Sequence, residues 1–186
     1  ALTTSKGLGA ITLLQEASST TATANVVFDS LDVTTYASFI LEWQSLPQAD
    51  NTDLYMQMRD SGGNNITTAK YNSAGFGCSG STFTGNYSWH ENNLAYFRVH
   101  KNAGNATAEQ HATRIHFTPA KAAMQHQHGN FYTAAGLRYD SGTTYRSEFC
   151  NGGFNDTTQP IPHGFRMYYA TNNIEAYDYK LYGVQE

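Results

Sequence analysis

The sequence predicts an all-β protein that folds as an antiparallel two-sheet sandwich or a barrel. Charged residues make up only 14% of the 186 residues, against a usual share of about a quarter in globular proteins. Tyrosine (13 residues), phenylalanine (10) and glycine (16) are abundant instead. Aromatic side chains suit a pleated surface, and glycine suits the turns between strands. Runs of alternating apolar and polar residues recur between turn-forming segments, which favours many short strands in one domain.

Each predicted strand has one apolar face. In the run 54–59, Leu54, Met56 and Met58 alternate with polar or tyrosine side chains, which is the period of a half-buried strand. The same alternation groups Phe39 with Leu41 and Trp43, Phe97 with Val99, Ile115 with Phe117, and Phe165 with Met167 and Tyr169. Glycine and asparagine adopt positive φ at little cost, and they predict turns at 60–65, 102–105, 128–130, 140–142, 151–153 and 171–173.

Two segments depart from this pattern. Residues 1–12 show no periodicity and are predicted to form an N-terminal arm ahead of a single domain over 13–186. Within residues 119–128 the local signals favour a short helix, because Thr118 suits an N-cap, Pro119 the first turn and Gly129 a helix stop. Ten residues are too few to hold a helix without tertiary contacts, so a strand remains the alternative.

Charge and hydropathy narrow the classes of partner. The net charge is −4 and the eleven basic residues are scattered, so the sequence predicts no binding to nucleic acid. No apolar run is long enough to span a bilayer, and the N-terminus lacks the layout of a secretory signal. Ala1 is a residue expected after removal of an initiator methionine, which favours a cytoplasmic product. Cys78 and Cys150 do not make a disulfide framework or a metal-binding pair, and we expect two small buried thiols.

Catalytic signatures are few, and we expect a protein that is not an enzyme and has no cofactor. No nucleophile elbow, phosphate loop or dinucleotide fingerprint is present. The run Arg146-Ser147-Glu148 resembles one strand of the jelly-roll alginate lyases, but the nearest equivalent of their histidine strand, at 114–116, precedes it and their third motif is missing. A half-exposed ion pair on a strand is the alternative interpretation of this run.

His126 and His128 are the candidate metal ligands. On a strand the two imidazoles share a face, and three such pairs on a trimer axis would offer six nitrogens to a metal ion. Such His-x-His sites occur in trimeric phage fibre and spike tips. On a helix the two side chains would diverge, and solvated histidines are the alternative. We therefore predict no metal and keep this pair as the only candidate.

Exposed aromatic side chains are the candidate binding residues. If the apolar faces of the last two strands point inward, Arg166, Tyr168 and Tyr182 point outward, and tyrosine with arginine is enriched in protein interfaces and sugar platforms. Ordinary cross-strand pairing on an exposed sheet is the alternative. A carbohydrate-binding groove would need further exposed rings, for which Tyr87, Trp89 and Tyr145 are the candidates.

The order of three segments carries a family resemblance. An opening strand "ANVVFDSLD" leads to "FILEWQSLP" and a "DSG" turn within residues 24–63, a strand pair covers 96–119, and a hairpin over 161–184 closes the chain. The hairpin contains Asn-Ile at 173–174 and Leu-Tyr-Gly-Val at 181–184. In this order the segments resemble small virion structural proteins of tailed bacteriophages, many of them from marine phages. The sequence departs from that group at Asn172, where glycine is usual.

The resemblance implies a jelly-roll-like sandwich on a virion, as a capsid decoration protein, head fibre or tail-fibre module assembled in the bacterial host cytoplasm. It implies other virion proteins of the capsid or tail as first partners, a homo-oligomer that is a trimer, and a host-surface glycan as a second partner. It favours strand over helix at 121–128. The alternatives left open are a lectin-like carbohydrate-binding module and a polysaccharide lyase.

Overall fold

The computed structural model describes residues 9–67, 71–80, 85–106, 109, 111–119, 130–141, 144–154 and 162–185. Within these ranges the regular structure is β-strand, which confirms the all-β prediction. No helix in the described part of the chain is long and apolar enough to cross a membrane. The strands are β1 (Ile11–Ser19), β2 (Val26–Phe28), β3 (Ser38–Pro47), β4 (Thr52–Arg59), β5 (Tyr71–Ser79), β6 (Gly85–Leu94), β7 (Phe97–Ala103), β8 (His111–Thr118), β9 (Asn130–Ser141), β10 (Thr144–Phe154), β11 (Gly164–Tyr169) and β12 (Ile174–Val184).

The described strands form two antiparallel sheets. The large sheet has the order β1-β12-β3-β8-β9-β10-β5-β6, and the small sheet has the order β2-β11-β4-β7. Strands β9, β10, β5 and β6 form one end of the large sheet. Without these four strands, two four-stranded sheets remain, β1-β12-β3-β8 and β2-β11-β4-β7, and the chain passes between them at every step except from β4 to β7. Eight strands arranged in this way form a jelly roll, which confirms the predicted sandwich.

The four additional strands extend the large sheet beyond the jelly roll. Strand β10 pairs with β9 on one side and with β5 on the other, and β6 pairs with β5 at the sheet edge. We call these four strands the extension. Because the small sheet ends at β7, the extension has no strand of the small sheet directly opposite its edge, and its inner face meets β7 only in part.

The core lies between the two sheets, where the alternating apolar residues meet. Phe28 stacks on Phe165 with 4.6 Å between ring centroids, and Trp43 lies against Tyr177 and Tyr179 at 6.1 and 6.3 Å. The predicted apolar faces are all buried here, including Leu41, Leu54, Met56, Met58, Phe97, Val99, Ile115, Phe117, Met167 and Leu181.

Backbone conformation and packing explain two residues of the closing hairpin, Asn172 and Gly183. Asn172 has a φ of 61°, a left-handed conformation that asparagine and glycine adopt more readily than other residues. Gly183 lies under the ring of Tyr36, and a Cβ added there would be 2.5 Å from the ring carbon Cδ1. Glycine is therefore the residue that lets Tyr36 pack flat on β12.

Two expectations concern segments at the limits of the described residues. Residues 1–8 of the predicted arm lie outside them, and Ile11 and Thr12 pair with Val184 and Gly183 in β1. Residues 120–129 also lie outside them, so the choice between helix and strand at 119–128 stays a prediction.

Candidate partner-binding surfaces

An apolar patch lies on the outer face of the large sheet, at the end where β1 begins. Strand register places Ile11 opposite Val184, and Leu13 opposite Tyr182, which in turn lies opposite Ile40. Residues directly opposite each other in antiparallel strands share a face. We call these five residues the N-terminal patch. Ile11 is 63% exposed and Leu13 is 46% exposed, so the patch presents apolar side chains to solvent.

A β-bulge in β1 confines the patch to one end of the strand. The register of β1 against β12 shifts between Leu13 and Gln15, which changes the face on which the following side chains lie. Beyond the bulge, the outer face of β1 carries Glu16 and Ser18, opposite Lys180 and Asp178. The exposed surface is therefore apolar next to the N-terminal segment and polar farther along the strand.

Tyr182, a predicted partner-binding residue, joins the patch to a polar neighbourhood. Its ring is half-buried, and its hydroxyl donates to the Glu42 carboxylate with an O–O distance of 3.4 Å. Glu42 also forms an exposed ion pair with Arg114 on β8. The rim of the patch thus carries both charges, as protein interfaces commonly do.

A second surface lies on the outer face of the small sheet and contains two more predicted residues, Arg166 and Tyr168. Tyr55 of β4 stacks on Tyr96 with 3.9 Å between centroids, and its ring meets that of Tyr168 edge-on at 5.6 Å. The guanidinium carbon of Arg166 lies 4.5 Å from the Tyr168 ring centroid. Gln57 accepts a hydrogen bond from Arg166 Nε at 2.9 Å. We call these five residues the tyrosine–arginine face.

Packing within the tyrosine–arginine face raises the pKa of two of its phenols. Burial raises the pKa of Tyr168 to about 12, although the charge of Arg166 acts in the opposite direction. Burial likewise raises the pKa of Tyr55, assisted by its hydrogen bond with Tyr96. A neutral phenol can donate and accept hydrogen bonds, so this face offers flat rings, hydroxyls and a guanidinium side by side.

Comparison with protein-family models and with curated proteins finds no match for this chain. The geometry of these surfaces is therefore the basis on which we infer a function.

The predicted glycan groove at Tyr87 and Trp89 needs a correction. The structure places both side chains on the inner face of the extension, where Trp89 is only 9% exposed. Trp89 lies across Gly75, since a Cβ at that glycine would be 2.5 Å from the indole, and Tyr87 lies similarly over Gly77. The glycines of β5 provide the space that buries these rings, so Trp89 is a core residue and not an exposed platform.

The side chains of three other predicted residues lie outside the described part of the chain. Tyr145 belongs to β10, where its backbone lies opposite Tyr139, but its side chain lies outside the described residues. His126 and His128 lie outside them entirely.

An exposed aromatic pair on the extension was not predicted from the sequence. Phe76 and Phe149 are 60% and 39% exposed, and they lie opposite each other on β5 and β10. Their ring centroids are 5.5 Å apart. The signal was present in the alternation of β5, where glycines at 75 and 77 flank Phe76 and mark the opposite face as the one that receives other side chains.

Glu148, considered as part of a lyase-like strand, is buried and 2% exposed. Its Oε1 accepts from Trp89 Nε1 at 2.6 Å, and its Oε2 lies 2.8 Å from His100 Nδ1. Arg146 lies over the Tyr87 ring, with its guanidinium carbon 5.3 Å from the centroid. The expectation of a half-exposed ion pair at this strand is therefore wrong for Glu148, because neighbouring side chains enclose it.

Proposed function

We propose that this chain is a non-enzymatic structural protein of a tailed-bacteriophage virion, attached to the particle by protein–protein contacts. The observation that carries the proposal is the N-terminal patch, which exposes Ile11 and Leu13 at the end of the segment predicted as an N-terminal arm. A contiguous exposed apolar patch on a soluble domain is a common feature of interaction sites. An arm that becomes ordered on a partner would extend the same contact.

Part of the closing motif that carries the family resemblance lies in the N-terminal patch. Tyr182 and Val184 of the closing Leu-Tyr-Gly-Val both belong to the N-terminal patch, and Gly183 between them supports Tyr36 from the inner side. Residues that define the resemblance thus occupy a surface that can contact a partner. The partner is another virion protein of the capsid or tail, and the chain reaches it during assembly in the host cytoplasm.

The first test is whether the particle contains the chain. We expect mass spectrometry of gradient-purified particles of the encoding phage to detect the chain as a stoichiometric component. Its absence from particles, with the chain present in the infected host, would refute a virion role.

A charge substitution in the N-terminal patch is expected to prevent attachment. Burial of a large aliphatic side chain contributes about 1.5–3 kcal/mol, so the double variant Ile11→Lys/Leu13→Lys should bind the particle at least about a hundredfold more weakly. The variant is supplied in trans during infection with a gene-deleted phage, and particle-bound chain is quantified. Ser18→Lys is the control, since it adds a lysine to the same strand and face beyond the bulge. Equal incorporation of all three chains would exclude this patch as the contact.

We propose further that the chain forms a homotrimer, and light scattering of the purified chain at two concentrations tests this. The edge of β1 that does not pair with β12 supplies backbone for a contact between copies. A trimeric mass for both wild type and Ile11→Lys/Leu13→Lys would leave the N-terminal patch for the virion partner. A monomeric wild type at both concentrations would refute the trimer.

Binding of a host-surface glycan is a second candidate function, favoured by the tyrosine–arginine face. The rings of Tyr96 and Tyr168 beside the Arg166 guanidinium are what a sugar ring with its hydroxyls requires, and the buried Tyr55 and Gln57 support them from below. We expect binding to a bacterial surface glycan on an array, with a loss of at least about tenfold in Tyr168→Ala, because aromatic contacts contribute about 1 kcal/mol or more each. Tyr182→Ala, a tyrosine of the other sheet, is the matched control. Binding that persists in Tyr168→Ala would place the glycan elsewhere, and no binding by wild type would remove this candidate.

A further inference from the structure

The interior of the extension contains a cluster of metal-ligating side chains, distinct from both binding surfaces. Glu148 and Cys150 are two residues apart on β10, so they share its inner face, and His100 approaches them from β7 of the small sheet. All three side chains are buried. A nitrogen of His100, a carboxylate oxygen of Glu148 and Sγ of Cys150 all lie within 4.8 Å of one another. We propose that these three side chains bind a zinc ion.

The distances are close to those of a coordination sphere. Zinc bonds of about 2.0–2.3 Å in a tetrahedral site put neighbouring ligand atoms about 3.3–3.8 Å apart. His100 Nδ1 and Glu148 Oε2 are 2.8 Å apart, and no pair of ligand atoms exceeds 4.8 Å. Side-chain adjustments of less than about 1 Å therefore bring the three ligand atoms to three corners of a tetrahedron around the ion.

The choice of metal follows from the chemistry of the ligands. A thiolate with an imidazole is a soft donor set that suits zinc and related transition ions, whereas calcium and magnesium require oxygen ligands. His111, at the start of β8, is the adjacent imidazole, with its ring edge-on to His100 and 4.1 Å between centroids. It lies beside the site that we propose, which His100, Glu148 and Cys150 form.

The surroundings of the cluster resemble an outer coordination shell. Trp89 Nε1 donates to Glu148 Oε1, which fixes the carboxylate so that Oε2 faces His100, as hydrogen bonds behind metal ligands commonly do. Gly136 of β9 leaves space beside the imidazole, since a Cβ there would be 2.8 Å from His100 Nε2. Cys150 donates its thiol hydrogen to the Val99 carbonyl oxygen across a distance of 2.9 Å, and metal binding would release that proton to solvent.

Charge balance also favours a cation in this position. A buried carboxylate needs a compensating positive charge, and either a protonated His100 or a divalent ion satisfies this requirement for Glu148. Because the ligand atoms are enclosed, the ion enters while the chain folds, and binding adds to folding stability. The measurable consequence is a folded protein that retains its metal through purification.

The test measures the metal content of the wild-type chain, purified without a polyhistidine tag. We expect about one zinc per chain by elemental mass spectrometry and a thiolate-to-cobalt charge-transfer band after refolding with Co²⁺. A chelator should lower the melting temperature. Wild-type protein that is folded without metal, and that refolds with Co²⁺ without a thiolate band, would overturn the proposal and leave the cluster as a hydrogen-bonded His–Glu pair.

Matched cysteine variants identify the ligand. Cys150→Ser should lose the thiolate band and retain roughly a tenth or less of the zinc. Cys78→Ser should keep both, because Cys78 lies on the opposite face of the extension and donates to Asn86 there. If Cys150→Ser does not fold, the wild-type cobalt spectrum still decides the proposal. Equal zinc in both cysteine variants would also contradict it.

Discussion

Replacing Trp43 by alanine is expected to lower the free energy of unfolding by about 3–5 kcal/mol, which is typical of a large aromatic removed from a core. Trp43 is buried at the centre of the sandwich and lies between Tyr177 and Tyr179 of β12 on one side and Phe28 of β2 on the other. Its indole nitrogen donates to Ser45 Oγ at 2.8 Å. The substitution would therefore leave a cavity where the two sheets meet and remove one of the two hydrogen bonds of the Ser45 hydroxyl, which keeps its bond with Tyr169.

Chemical denaturation followed by circular dichroism measures this effect. Trp43→Phe should cost less than Trp43→Ala, because it keeps a ring in the stack and removes the hydrogen bond. Gln44→Ala, the exposed neighbour on the same strand, is the control and should change the free energy of unfolding by less than about 0.5 kcal/mol. A loss of under about 1 kcal/mol in Trp43→Ala would mean that the sheets do not pack as described.

Replacing Glu148 by alanine is expected to cost about 3–5 kcal/mol, the usual effect of removing one partner from a buried charged pair. The substitution removes the acceptor of the Trp89 indole and the partner of His100 at once. Neither group can turn to water, because both are enclosed between β7 and the extension. Melting temperature and denaturant midpoint should both fall.

The conservative variant separates charge from shape in this pair. Glu148→Gln keeps an acceptor for Trp89 and should retain more stability than Glu148→Ala. Glu175→Ala removes an exposed carboxylate from β12, and we expect it to change stability by less than about 0.5 kcal/mol. Similar stability for Glu148→Ala and Glu175→Ala would show that the buried pair contributes nothing to the fold.

Alternation predicted the strands of the jelly roll well, because each has one apolar face against a single core. In β4, Leu54, Met56 and Met58 point inward as their period requires. The extension was harder to predict, since its inner face consists of Gly75 and Gly77 with larger residues from other strands lying over them. Periodicity in one strand cannot show that its neighbour fills the space, so Trp89 looked exposed among the polar residues of β6.

The candidate surfaces were predicted only in part, because alternation shows the face on which a residue lies but not its neighbours from other strands. The outward position of Arg166, Tyr168 and Tyr182 could be predicted from the alternation of their own strands. Tyr182 is part of the N-terminal patch, and Arg166 and Tyr168 are part of the tyrosine–arginine face. Their partners come from segments far away in the sequence, such as Leu13 of β1 and Tyr96 in the turn between β6 and β7. The cluster of His100, Glu148 and Cys150 also depends on pairing between distant strands, which local sequence patterns do not encode.

The central position of β12 determines the order in which the large sheet can form. Among the described strands it comes last in the sequence, yet it lies between β1 and β3, two of the first three. Until β12 is in place, β1 has no strand partner and β3 has only β8, whereas neighbours in sequence such as β9 and β10 can pair at once. Contacts between residues far apart in the sequence slow folding. We therefore expect refolding limited by closure of β12, with the unpaired edge of β3 as the segment most exposed to aggregation in the meantime.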